Sequence, residues 1–384
     1  MNRLASRTAA IRPVRRAAAL RWRLRFTPRL KTGLRTAGVV ALACASHTAH
    51  AQSTLVMYGI VDTAVQYGRF NSTTGTTASA ASGNLQASRF GLLGKEDLGG
   101  GYRANFRLET GFNIYTGMGG GATEFNRGAS VGLSGPFGNV DAGYLYLPIY
   151  WVFLASDVGT YGLANPAAIM SLEHTTTLGS SGTGGFYRNA VRYRTPETLG
   201  GWSSEIGYSF GAQDPEGQTL NARNVGANIQ YAKNGVLVGY GFNRYQYYAS
   251  ATASDASSQL THVLSAAYDF GRVVVGGNYV YSKRTDGTGW FASAALLNAR
   301  VRVGFGDINV GVSRRIENGN ARAIACDAGY VYYLSKRTQL YGFATTILNN
   351  SHSTQGFALL SNSASTVKVG FDPWAVTAGV RTSF

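Results

Sequence analysis

The sequence predicts an all-β fold, a 16-stranded antiparallel barrel that crosses a membrane with its strands. Three observations predict it. Apolar and polar residues alternate with period two in segment after segment. Short turns and long loops rich in Ser, Thr, Gly and Asn join those segments by turns. Beyond residue 51, no apolar run approaches the roughly 18 residues that mark a membrane helix.

Before the barrel comes a segment of a different kind. Residues 1–51 carry ten Arg plus Lys31 and no Asp or Glu. An apolar core follows at 37–45, and then the small-x-small site Ala49-His50-Ala51 before Gln52. This reads as a signal peptide with a long basic n-region, removed to leave a barrel over 52–384. The nine-residue core is too short to anchor the chain, since a span needs about twenty. Without the segment the formal charge falls from +16 to +5, so the basic balance does not point to nucleic acid, and no such partner is expected. Cys44 leaves with it and Cys326 is then alone, which excludes an internal disulfide.

The strands follow in order. The first starts near residue 54 and the second near 85. The third, near 102, shows the alternation clearly. Tyr102, Ala104, Phe106, Leu108, Thr110 and Phe112 form one face suited to lipid. Arg103, Asn105, Arg107, Glu109 and Asn113 form the other, suited to water. Strands near 126 and 139 share the turn at 135–139, and others begin near 187, 202, 221 and 235, the last after Lys233-Asn234-Gly235. Further starts lie near 259, 272, 292, 307, 321 and 337. Ile308, Val310 and Val312 there oppose Asp307, Asn309 and Ser313. In the final strand, near 374, Trp374, Val376, Ala378, Val380 and Phe384 oppose Thr377, Gly379, Arg381 and Ser383. Loops of the long kind are expected at 71–84, 249–258 and 349–365. All six prolines beyond residue 51 fall at turns, loops or segment ends, because proline cannot donate to a ladder. An even count closes the sheet and leaves no edge in lipid. About sixteen strands also enclose a water-filled lumen.

Several short motifs carry a resemblance. Thr54-Leu55-Val56-Met57-Tyr58-Gly59-Ile60-Val61-Asp62 is one, and Ser88-Arg89-Phe90-Gly91 leading into Glu96-Asp97-Leu98-Gly99 is another. The run from Phe125-Asn126-Arg127-Gly128 to Leu133, Arg188-Asn189-Ala190-Val191-Arg192-Tyr193, Leu334-Ser335-Lys336-Arg337-Thr338 and the terminal Phe384 complete the set. In this order, over nearly all of 52–384, they resemble the general porins of betaproteobacteria. The resemblance implies a homotrimer of barrels in the outer-membrane bilayer, passing small ions and solutes by diffusion. It also implies a third loop, here 148–186, folded inward as a constriction, and a terminal Phe384 read by the barrel-insertion machinery. The family's constriction arginines match Arg89, Arg127 and Arg188.

Parity places Arg89, Arg103 and Arg107 on the watery face, and Arg192 follows Arg188 on the strand after the loop. Strict alternation would put Arg127 on the other face, so a bulge or strand end must intervene. Asp157 and Glu173, on the inward loop, are the acids expected to oppose these cations. The cations outnumber them, which favours mild anion selectivity. One departure weakens it: Gly143-Tyr144 stands where the family has Gly-Arg.

Other classes fare worse. Only His174, His262 and His352 lie beyond residue 51, and His174 beside Glu173 is the best catalytic pairing on offer. Neither metal-ligand spacing nor a phosphate-cradling loop is present, so no enzyme activity, cofactor or metal is expected. An adhesin or plugged barrel would need an extra domain, and nothing outside the barrel is long enough.

Overall fold

The computed structural model describes residues 53–119, 124–158, 185–211, 222–248, 255–357 and 367–384. The expected signal peptide, Gln52 and Glu173 lie outside them. Seventeen strands form one antiparallel sheet among the described residues: β1 (Thr54–Arg69), β2 (Thr77–Ser82), β3 (Arg89–Gly99), β4 (Tyr102–Gly111), β5 (Gly128–Gly135), β6 (Gly138–Tyr146), β7 (Phe186–Arg194), β8 (Trp202–Ser209), β9 (Asn224–Lys233), β10 (Val236–Tyr248), β11 (Ala256–Asp269), β12 (Val273–Arg284), β13 (Phe291–Val303), β14 (Gly306–Glu317), β15 (Arg322–Tyr333), β16 (Thr338–Asn349) and β17 (Trp374–Ser383). From β3 to β17 each strand pairs with the next. β1 then closes the ring by pairing with β17 on one side and with β2 and β3 on the other.

Seventeen segments make sixteen staves because β2 and β3 are one stave, broken at 83–88. β1 pairs with β3 over 54–60 and with β2 over 63–68. Part of the expected 71–84 loop is therefore strand, a correction with a local cause. At the break, the buried Asp62 carboxylate accepts the backbone N–H groups of Asn84 (3.2 Å), Leu85 (3.1 Å) and Gln86 (2.8 Å), and the Tyr341 hydroxyl (2.6 Å). These bonds replace the ladder partners that the bulged segment lacks.

The alternation sorts the faces. Leu264, Leu297, Val312 and Val376 are exposed on the outside, where lipid covers them, while Asn243, Gln259, Ser282, Asn298 and Thr377 are buried on the inside. At the short-turn end, Trp202, Phe270 and Phe305 stand exposed as an aromatic girdle. The turns there are tight. Asn234 and Gly235 have φ of 53° and 79° between the paired Lys233 and Val236, the two positive angles of a type I′ hairpin.

After β6 the chain turns inward. Pro148 opens helix α1 (Pro148–Ala155), whose missing N–H costs nothing in the first turn. Ile149, Val152 and Phe153 are buried in one cluster with Val263, Val280, Ala294 and Leu296 of the inner wall. Asparagines fasten the segment. Asn228 Nδ2 donates to the Pro148 carbonyl (2.6 Å), Asn278 Nδ2 to the Phe153 carbonyl (3.3 Å), and Asn298 Nδ2 to Asp157 (3.2 Å). Residues 148–158 thus run along the inner wall from β9 to β13.

Candidate functional site in the barrel lumen

A buried carboxylate organises the inner face of the first staves. Glu109 is 2% exposed and lies two residues from Arg107 on β4, so both point inward. Its Oε2 accepts from Arg107 Nη2 (2.8 Å) and from the Tyr58 hydroxyl (2.6 Å), and its Oε1 from Arg127 Nε (2.9 Å). Arg127 Nη2 also donates to the Tyr146 hydroxyl (2.7 Å), and the Arg107 guanidinium lies 5.2 Å from the centre of the Tyr146 ring. Arg89 donates to the Ala87 carbonyl (3.2 Å) and lies within electrostatic range of Arg127 and Glu109. Two guanidiniums thus hold one carboxylate and a third lies within electrostatic range, an excess of two positive charges among these four groups. Arg127 reaches this face because it precedes the first residue of β5, Gly128, and is not bound by that strand's alternation.

Aromatic rings continue the surface. Tyr146 stacks on Tyr150 of α1 at 4.6 Å, and Phe186 lies 4.1 Å from Tyr146 and 5.1 Å from Tyr144. Burial, helped by the neighbouring Tyr146, pushes the Tyr150 phenol up to about 12, so it is neutral at physiological pH. Arg188 is exposed, with its guanidinium 5.8 Å above the Tyr144 ring.

The remaining sequence-selected residues are placed elsewhere. Arg192 is 7% exposed and ion-paired to Asp141 (2.8 Å) and Glu205 (3.6 Å); Arg194 joins Glu205 at 2.7 Å. Two cations and two anions leave that network with no net charge. Arg103 is exposed near the short turn, four residues and roughly 13 Å along β4 from Arg107. Asp157 is nearly buried on the far wall, held by Asn298 and within electrostatic range of Asp327. The structure therefore brings together Arg89, Arg107 and Arg127, sets Arg188 beside them across the rings, and separates Arg103 and Arg192. Sequence reasoning missed Glu109 as a partner; an Arg-x-Glu pair on one strand face was the available signal.

A Gram-negative porin family model matches residues 37–352. This chain is a Gram-negative porin. The outer membrane porin protein 32 of Delftia acidovorans is 30% identical to this porin, over 90% of this chain and 98% of that one. An outer membrane porin protein of Bordetella pertussis is 28% identical over 89% and 97%. Among solved structures, the anion-selective porin from Comamonas acidovorans superposes with a TM-score of 0.74 at 27% identity, covering 87% of this chain and all of that one. The Vibrio cholerae outer membrane protein OmpT shares the fold alone, at 12% identity and a TM-score of 0.60. The porin therefore belongs to the outer membrane, where its barrel forms a water-filled channel for small hydrophilic solutes.

Proposed function

We propose that this channel is mildly anion-selective and that Arg89, Arg107 and Arg127 set the preference, with Arg188 contributing beside them. The observation that carries the reading is the Glu109 carboxylate held by the Arg107 and Arg127 guanidiniums, with that of Arg89 within electrostatic range. Fixed cations lower the barrier for anions and raise it for cations. At physiological salt the screening length is about 8 Å, so a passing ion still feels charges on the wall. Arg103 and Arg192 contribute less, one through its distance and the other through its neutralised network. The anion selectivity of the Comamonas protein supports the reading. Residues 148–158 narrow the lumen from the wall that α1 covers, and the 148–186 loop carries the acids Asp157 and Glu173.

Three further readings accompany this one. Residues 1–51 are removed as a signal peptide, the barrels assemble as trimers, and Phe384 is presented to the insertion machinery. The channel itself needs no cofactor and performs no catalysis. The purified porin in a planar bilayer should give stepwise ohmic conductance. Under a tenfold KCl gradient, its reversal potential should lie on the chloride side of zero. A potential on the potassium side would refute the selectivity, and mass spectrometry finding residues 1–36 on outer-membrane protein would refute the cleavage.

A further inference from the structure

The arginines of this lumen differ in what they hold, and Arg89 donates to the Ala87 carbonyl. Arg107, Arg127, Arg192 and Arg194 all hold a carboxylate of the same chain. Arg188 is exposed and, among the described residues, makes no ion pair. Its described side-chain companion is aromatic: the guanidinium lies over the Tyr144 ring.

Tyr144 is in turn the outer rung of a ladder. The Tyr144 and Phe186 rings are stacked, with 29° between their planes, and Phe186 leads on to Tyr146 and Tyr150. Tyr146 is buried, but Tyr144 and Phe186 are only partly covered. The bulge in the β6–β7 register between Gly143 and Leu145 places these rings together on the side of Arg127. An accessible π-surface thus ends in an accessible guanidinium that has no counter-ion among the described residues.

That combination fits one solute chemistry. A chloride ion or an aliphatic carboxylate uses the guanidinium and gains nothing from the rings. A planar aromatic carboxylate uses both, its ring against Tyr144 and Phe186 and its carboxylate on Arg188. We propose that Tyr144, Phe186 and Arg188 form a subsite for planar aromatic carboxylates within the channel. The proposal rests on the channel reading and adds a solute class to it.

Benzoate and cyclohexanecarboxylate have the same charge and similar size and differ in the π-face. With purified porin in a planar bilayer in symmetric KCl, the concentration of each that halves the chloride current is measured. Benzoate should act at a concentration about two- to tenfold lower, the range that a ring–ring contact supplies. Tyr144→Phe should keep the gap, Tyr144→Ser should close it, and Arg188→Gln should weaken both compounds. Arg188 is exposed, so its replacement leaves the ring stack in place should Tyr144→Ser fail to fold. Equal half-blocking concentrations in the wild-type channel, or an undiminished gap in folded Tyr144→Ser, overturn the subsite. Absence of any KCl conductance would instead overturn the channel reading, a separate failure.

Discussion

To reach Glu109 on β4 from β1, the Tyr58 side chain has to pass over β3, and the residue beneath it is Gly91. Tyr58 pairs with Gly91, and Gly91 with Glu109, so the three share one row. A Cβ at Gly91 would sit 2.6 Å from the Tyr58 ring. Gly91→Val should therefore push the ring aside and break the Tyr58–Glu109 bond. The expected cost is about 1–3 kcal/mol, read as a lower temperature for loss of the compact band in gel-shift assays. Glu109 itself offsets part of the charge around it. Glu109→Gln removes the anion that Arg107 and Arg127 hold, and the reversal potential should move further toward chloride. Replacing Arg89 and Arg107 together with Ser should move it the other way, because two of the three cations go and the anion stays. An unchanged potential in a folded double variant would show that these side chains do not face the ion path.

At the scale of elements, the placement of α1 depends on what the wall leaves out. Gly241 of β10 lies under Ile149, where a Cβ would stand 3.0 Å from its Cγ1 and 3.2 Å from its Cα. Gly276 of β12 passes so close to the Ser156 carbonyl that a side chain there would collide with it. Gly241→Leu should lift α1 from the wall without touching the outer face. Single-channel conductance should change while the barrel remains folded, and an unchanged conductance would mean that the helix does not bound the path. These elements also show what was legible in the sequence. The strands and their faces could be read because each strand repeats the same period of two against lipid. The apolar start of the 148–186 loop signalled a wall contact. The Arg192–Asp141–Glu205 network could not be read, because alternation tells a face and not a register. The network exists only because β6 pairs Asp141 with Arg192 and β7 pairs Arg194 with Glu205. Strand β2 was hidden for a related reason, since its pairing is set by the break around Asp62 rather than by its own small residues.

The whole molecule is held as a ring, and a ring has one seam where the ends of the chain meet. Sixteen staves leave no unpaired backbone in lipid only if β1 and β17 find each other, although about three hundred residues lie between them. The terminal residue completes that seam. The Phe384 N–H donates to the Gly59 carbonyl (3.1 Å), and the Gly59 N–H donates back to the Phe384 carbonyl (3.2 Å). The ring of Phe384 covers Gly59, which has no side chain to obstruct it. Closure is locked a few residues further on, where Tyr341 of β16 reaches the Asp62 carboxylate of β1 and ties the two ends of the sheet through a buried charge. Loss of a hydrogen bond to a buried charged group costs about 1.5–3 kcal/mol, so Tyr341→Phe should lower the melting temperature of the folded barrel without altering its selectivity. Deletion of Phe384 should act earlier, on assembly. It removes both seam bonds to Gly59 and the terminal aromatic. The fraction of protein recovered from outer membranes as the compact, heat-modifiable form should fall, while molecules that do close should conduct like the wild type. Recovery equal to wild type would show that the seam closes without its last residue. Lower conductance in the closed molecules would place Phe384 in the lumen rather than at the seam.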